Sequence, residues 1–396
     1  MNDVTVPGFR FSGVHCGIKA SAPDLALIVS DVPARVAGVF TRSTVVGAPV
    51  ELCRSRLAGG RGRGVVVNSG ISNVAMGELG RRNAERMSEL AARAVVCAPE
   101  EMFVASTGVI GEPLPMKCLR AGIPAAAAAL DREGLPAAAE AIRTTDTYAK
   151  LSARRIRIGG RCVTVAGIAK GSGMIEPDMA TMLSFLVTDA NVTARHLQSV
   201  LRRVADATFN RVSVDGEGST SDSVLLFANA RAGHGSIGGP GSDGAAEFEA
   251  AVHGVAEDLA RELARDGEGA TKLVTVEIRG ARTPRQAEAA GRRVANSLLV
   301  KTAIFGGDAN WGRILQTIGA GRIELDLERA VVRLGGVVVF RAGRSAGPKA
   351  RDRAESRLTD PEITIAVDLG VGDAEARLWT CDLSYDYVRI NAEYTT

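Results

Sequence analysis

The sequence predicts a mixed α and β fold, one large layered unit followed by a smaller one, and three observations predict it. Apolar residues recur at helical spacing in some segments and as short runs or strict alternation in others, and the two patterns alternate along the chain. The length of 396 residues suits two units better than one ordinary core. Hydrophobic residues make up 46% and charged residues 23%, a globular balance that supplies a sizeable core and excludes disordered and collagen-like chains.

Residues 65–67 and 102–105 are short apolar runs that end at Asn68 and Ser106, as buried strands do where they enter a turn. Between them Met87, Leu90, Ala91, Ala94 and Val95 share one helical face. Ile156 and Ile158, then Gly159 and Gly160, then the apolar run 162–165 read as a hairpin whose two glycines supply positive φ. A strongly apolar strand follows at 181–187. Leu197, Val200, Leu201, Val204 and Thr208 form the next helical face, with Thr193 as its N-cap. Residues 230–244 (ARAGHGSIGGPGSDG) hold too much glycine for a regular element and predict a surface loop. A third helix runs through Phe248, Val252, Val255, Leu259 and Leu263, and Val274, Val276 and Ile278 alternate as a strand. The boundary between the units is expected near Gly280, ahead of a charged segment at 282–293, which gives units of 1–279 and 280–396. Alternation returns at Ile363, Ile365 and Val367 and again at Leu378 and Thr380. Apart from the alanine run at 125–129 there is no low-complexity tract, and no repeat of fixed period.

With 48 Lys+Arg against 45 Asp+Glu the net charge is only +3, which excludes nucleic-acid binding by charge alone and points to small-molecule partners. The six cysteines form no Cys-x-x-Cys pair, and the four histidines (His15, His196, His234, His253) are not at ligand spacing. Reduced thiols, no metal and no histidine relay are therefore expected. The first residues, MNDVTVPGFRF, lack a basic segment followed by an apolar stretch, and no apolar run approaches bilayer length, so a cytoplasmic protein is expected.

The most unusual segment is 167–187, GIAKGSGMIEPDMATMLSFLV. Gly171, Gly173 and Pro177 make an irregular loop, and a β-type apolar run follows, so Thr181 sits where loop turns into buried strand. β-propensity alone explains most threonines at such a place. A cut before Thr181, however, would give one residue both a hydroxyl nucleophile and a free α-amine of pKa about 7.7–8.0, a general base that needs no histidine. The same hydroxyl could first attack the carbonyl of Ala180, whose small side chain leaves it accessible.

The string KGSGMIEPDMATML at 170–183 resembles the signature of the ornithine acetyltransferase family, the glutamate N-acetyltransferases of the cyclic arginine pathway. In the same order as in that family, so do ASTGVIG at 105–111, TTDT at 144–147, STSDS at 219–223, DGEGATKL at 266–273, NSLLVKTAIFGGDANWGR at 296–313 and NAEYTT at 391–396. Several ordered blocks over nearly the whole chain are far more specific than one glycine-rich motif. The resemblance implies an αββα sandwich with a smaller C-terminal α/β domain. It also implies self-cleavage between Ala180 and Thr181 into chains 1–180 and 181–396, assembled as a dimer of heterodimers. N-acetylornithine would acylate Thr181, ornithine would leave, and glutamate would take the acetyl group. No cofactor, metal or prosthetic group is implied, although some members take acetyl-CoA as an alternative donor.

By the same resemblance Thr107 and Gly108 form the oxyanion hole, and Thr147, Lys170, Glu268, Asn391 and Thr396 join Thr181 in binding substrate. Thr144 and Thr145 are alternatives to Thr147 within the block. Lys170, embedded among Ile168, Ala169 and Gly171, would pair with a substrate carboxylate, and Glu268 with the ornithine side-chain amine. Two places depart from the usual pattern. Ile71 and Ser72 stand where asparagine and alanine are more common, and Glu176 and Asp178 flank Pro177 as in variants associated with antibiotic clusters. Two rival classes share these residues: an N-terminal-nucleophile amidohydrolase or aminopeptidase that passes the acyl group to water, and a non-catalytic amino-acid-binding relative whose chain stays intact.

Overall fold

A computed structural model of the chain describes residues 4–176 and 182–393. Its first part contains β1 (Phe9–Val14), β2 (Leu25–Phe40), α1 (Ala48–Leu57), β3 (Arg61–Ile71), α2 (Gly77–Val95), β4 (Met102–Val109), α3 (Met116–Ala128), α4 (Leu135–Ala141), β5 (Lys150–Ile158), β6 (Arg161–Lys170), β7 (Leu183–Thr188), α5 (Ala194–Ala207), β8 (Ser223–Ala228) and α6 (Ala245–Arg265). The second contains β9 (Leu273–Ala281), α7 (Pro284–Ala295), α8 (Leu298–Phe305), α9 (Trp311–Ala320), β10 (Val331–Leu334), β11 (Val337–Arg341), β12 (Arg344–Ser345), α10 (Pro348–Arg357), β13 (Glu362–Asp368), β14 (Ala374–Cys381) and α11 (Tyr385–Glu393).

The first part hydrogen-bonds in the order β4-β3-β2-β8-β7-β6-β5, with β1 added on β2. Strand β2 is the joint. Its pairing with β3 shifts register between Val29 and Ala34, its first half pairs with β1, and Arg35 to Phe40 pair with β8. Phe103 of β4 and Phe227 of β8 nevertheless meet edge to face with ring centroids 5.8 Å apart. In a flat sheet three strand spacings would separate them by about 14 Å, so the sheet is folded over on itself at β2. Leu25, Ala26, Leu27, Ile28 and Val29 are all buried, as a strand covered on both faces requires. Helices α1 to α4 pack on the β1–β4 half, while on the other face α5 packs on the second half of β2, around Ala37 and Val39, and α6 on β5 and β6. The result is the expected αββα sandwich.

The second sheet has the order β12-β11-β10-β13-β9-β14 and its own core, with α7 packed across β9 and β14. The change of sheet falls in the connection between α6 and β9, ahead of the expected boundary near Gly280. Strand β9 runs through that boundary, because its parallel pairing with β13 ties it to the second sheet.

Local signals account for several elements. Gly159 and Gly160, with φ of +54° and +75°, turn β5 into β6. The Thr193 hydroxyl accepts the His196 N–H and caps α5. The charged segment at 282–293 is helix α7, whose buried face is made of Ala287, Ala290, Gly291 and Val294, too small to stand out as an apolar stripe. The apolar strand read at 181–187 is β7. Ala180 and Thr181 lie outside the described residues, as does Thr396. Among the described residues no helix is long and apolar enough to cross a membrane, and all six cysteines are free thiols.

Candidate active site

Strands β3 and β4 run parallel, with Ser69 opposite Thr107 and Gly70 opposite Gly108. A Cβ on Gly108 would lie 2.2 Å from the Gly70 carbonyl carbon, and its φ is +127°. Only glycine lets the two backbones pass this closely, and the sharp exit presents Thr107 and Gly108 to a pocket.

Strand β6 brings Lys170 to the same pocket from a sealed interior. Its Nζ donates to Thr144 Oγ1 at 2.7 Å and lies 3.4 Å from Thr107 Oγ1. Burial pushes its ammonium pKa down, while Asp146, 4.0 Å away, opposes that shift. The Asp146 carboxylate itself is held below the usual range against its burial by Lys170 and Lys150 and by hydrogen bonds from Lys150 Nζ at 2.8 Å and the Gly171 N–H at 2.6 Å.

After Lys170 the chain crosses the pocket. The Ser172 carbonyl accepts the Glu268 N–H at 2.7 Å. A Cβ on Gly173 would fall 2.3 Å from a Glu268 carboxylate oxygen, so a side chain there would displace that carboxylate. Asp215 then clamps the loop by accepting the N–H groups of Met174 at 2.6 Å and Ile175 at 2.8 Å. The pocket wall resumes at Met182 and Leu183, immediately after Thr181. Residues 219–222 close another side, and Asn391 of α11 donates to Glu268 Oε2 at 2.8 Å.

Of the residues singled out in the sequence, Thr107, Gly108, Lys170, Glu268 and Asn391 thus line one pocket. Thr147 does not. It is exposed, and its N–H and hydroxyl both donate to Asp266, which also receives the buried Lys150. The turn held by Asp146 points Thr144 and Thr145 inward instead, and Thr145 Oγ1 lies 2.7 Å from Ser172 Oγ. Sequence reasoning missed Ser72 and Asp222 in the lining; a carboxylate set directly before the apolar strand 223–228 was the available signal for Asp222. Among the described residues no three side chains are grouped to hold a metal ion.

The pocket thus gathers Thr107 and Gly108, the ammonium of Lys170 and the carboxylate of Glu268 beside Met182, the residue that follows Thr181. The sequence profile of the ArgJ family matches residues 10–396. The arginine biosynthesis bifunctional protein ArgJ of Symbiobacterium thermophilum is 49% identical to this chain over 99% of it and 98% of that protein. The crystal structure of the arginine biosynthesis bifunctional protein ArgJ of Bacillus halodurans is 42% identical, with a TM-score of 0.52 over 54% of this chain and 100% of that one. The ornithine acetyltransferase of Mycobacterium tuberculosis, crystallised with ornithine, is 36% identical, with a TM-score of 0.39 over 45% of this chain and 93% of that one.

Proposed function

The chain belongs to the ArgJ family, and from that premise we propose that it transfers the acetyl group of N2-acetylornithine to glutamate through an ester on Thr181. The observation that carries the proposal is the convergence of Thr107, Gly108, Lys170, Glu268 and Asn391 on one pocket whose wall includes Met182.

The chain first cuts itself between Ala180 and Thr181. The freed α-amine takes the hydroxyl proton as Thr181 attacks the acetyl carbonyl. The Thr107 hydroxyl and the Gly108 N–H receive the oxyanion; a donor of this kind is worth about 2.7–4 kcal/mol of barrier. The amine returns the proton to the nitrogen of departing ornithine, and glutamate then attacks the ester. Two acyl steps replace one direct displacement at an unreactive amide. Lys170 pairs with a substrate carboxylate, with Thr144 in place of Thr147 beside it. Glu268, positioned by Asn391, takes the ornithine side-chain ammonium.

The functional unit in this reading is a dimer of cleaved heterodimers in the cytoplasm, without cofactor, with acetyl-CoA as an alternative donor. The test is the fate of a labelled acetyl group supplied on N-acetylornithine in the presence of glutamate. Label recovered chiefly as N-acetylglutamate supports the transferase. Label recovered chiefly as acetate would mean that water is the acceptor and that the protein is an amidohydrolase.

A further inference from the structure

Asp222 stands directly before β8 with its carboxyl fully buried, and it lines the same pocket. That carboxyl accepts the backbone N–H of Met182 and the hydroxyl of Ser219. Its Oδ2 has no hydrogen-bond partner among the described residues. An ionised oxygen left bare in such a place costs far more than a protonated one. Burial accordingly raises the Asp222 pKa well above the usual carboxylate range, against the pull of the Lys170 charge.

Self-cleavage needs such a group. In the uncut chain the Thr181 nitrogen is an amide, so the amine that serves as base after cleavage does not yet exist. None of the four histidines lines the pocket, and the other ionisable groups in its described lining are already engaged. Lys170 is held by Thr144 with Asp146 beside it, and Glu268 is held by Asn391. In the sequence Thr181 directly precedes Met182, whose backbone N–H this carboxyl accepts.

We propose that Asp222 is the acid–base residue of the self-cleavage step, an inference that rests on the reading of Thr181 as the self-processing nucleophile. The Thr181 oxygen bonds to the Ala180 carbonyl carbon, and the bond from that carbon to the Thr181 nitrogen breaks. Asp222 gives its proton to the departing nitrogen and takes up the proton that the hydroxyl loses, so it ends protonated as it began. Water then hydrolyses the ester, freeing the Ala180 carboxylate and restoring the Thr181 hydroxyl. In the mature enzyme the amine takes over proton transfer.

Asp222→Asn tests this, because it keeps the size and one acceptor oxygen and removes the transferable proton. Cleavage of freshly purified chain is followed by mass under denaturing conditions. General acid–base contributions are typically 10²–10⁴-fold, so the variant is expected to cut at least about 100-fold more slowly and to accumulate full-length chain. Asp222→Glu is expected to recover part of the rate, which a purely structural role would not predict. The wild-type cleavage rate is expected to fall as rising pH removes the Asp222 proton. Cleavage of Asp222→Asn at the wild-type rate, or a wild-type rate that does not fall with pH, would overturn the proposal. A wild-type chain that never cuts would overturn the functional reading itself, and this inference with it.

Discussion

Asn391 Nδ2 donates to Glu268 Oε2 at 2.8 Å, joining positions 123 residues apart. Helix α11 thereby fixes the carboxylate assigned to the ornithine amine. A hydrogen bond to a charged group contributes about 1.5 kcal/mol or more, roughly tenfold in affinity. We predict that Asn391→Leu raises KM for N-acetylornithine about tenfold while the chain still cuts itself. An unchanged KM in steady-state assays would remove Asn391 from substrate positioning.

The buried pair of Asp146 and Lys150, with Lys170 beside it, is predicted to be a stability element. Removing one member of a buried ion pair costs about 3–5 kcal/mol, so Asp146→Asn should lower the urea midpoint by a corresponding amount. The sign with pH follows from the depressed Asp146 pKa. Its contribution is fully present above the unfolded-state carboxylate pKa of about 3.9 and is lost as pH falls below it. Acid unfolding curves of wild type and Asp146→Asn should therefore converge at low pH; a constant gap would contradict the assignment.

Thr147 binds Asp266 and not the pocket, so Thr147→Val should cost about 1 kcal/mol of stability and leave KM for both substrates within about twofold. Thr144→Val should do the reverse, because Thr144 accepts from Lys170. Parallel kinetics and thermal melts of the two variants check this, and a large KM effect at Thr147 would restore it to the site.

Loss of the Thr107 hydroxyl should act on the chemical step. Thr107→Ala is predicted to lower kcat by about 10²–10³ with little change in KM. A variant that raised KM alone would show that Thr107 binds the ground state.

Much of this was legible in the residues themselves, and the rest depended on three-dimensional context. Lys170 stood out because a lysine among Ile168 and Ala169 in a buried strand needs a partner. Gly108 and Gly173 stood out in their motifs, though the backbone that excludes a side chain at Gly108 comes from distant β3 and the carboxylate that one at Gly173 would displace comes from the α6–β9 turn. Thr144, Thr145 and Thr147 are chemically alike, and only the turn around Asp146 decides which face the pocket. Asp222 escaped because its protonation is set by what covers it. The fold at β2 escaped because its apolar run reads like any buried strand, and the register shift between Val29 and Ala34 leaves no period behind. The first-to-second sheet transition was misplaced because β9 pairs with β13, about 90 residues later.

The central claim is tested most directly by the mass, under denaturing conditions, of purified protein incubated with N-acetylornithine alone. The account predicts two fragments of 180 and 216 residues, the larger heavier by one acetyl group that disappears when glutamate is added. A single intact chain of 41.3 kDa, or two fragments of which neither carries acetyl, would contradict it.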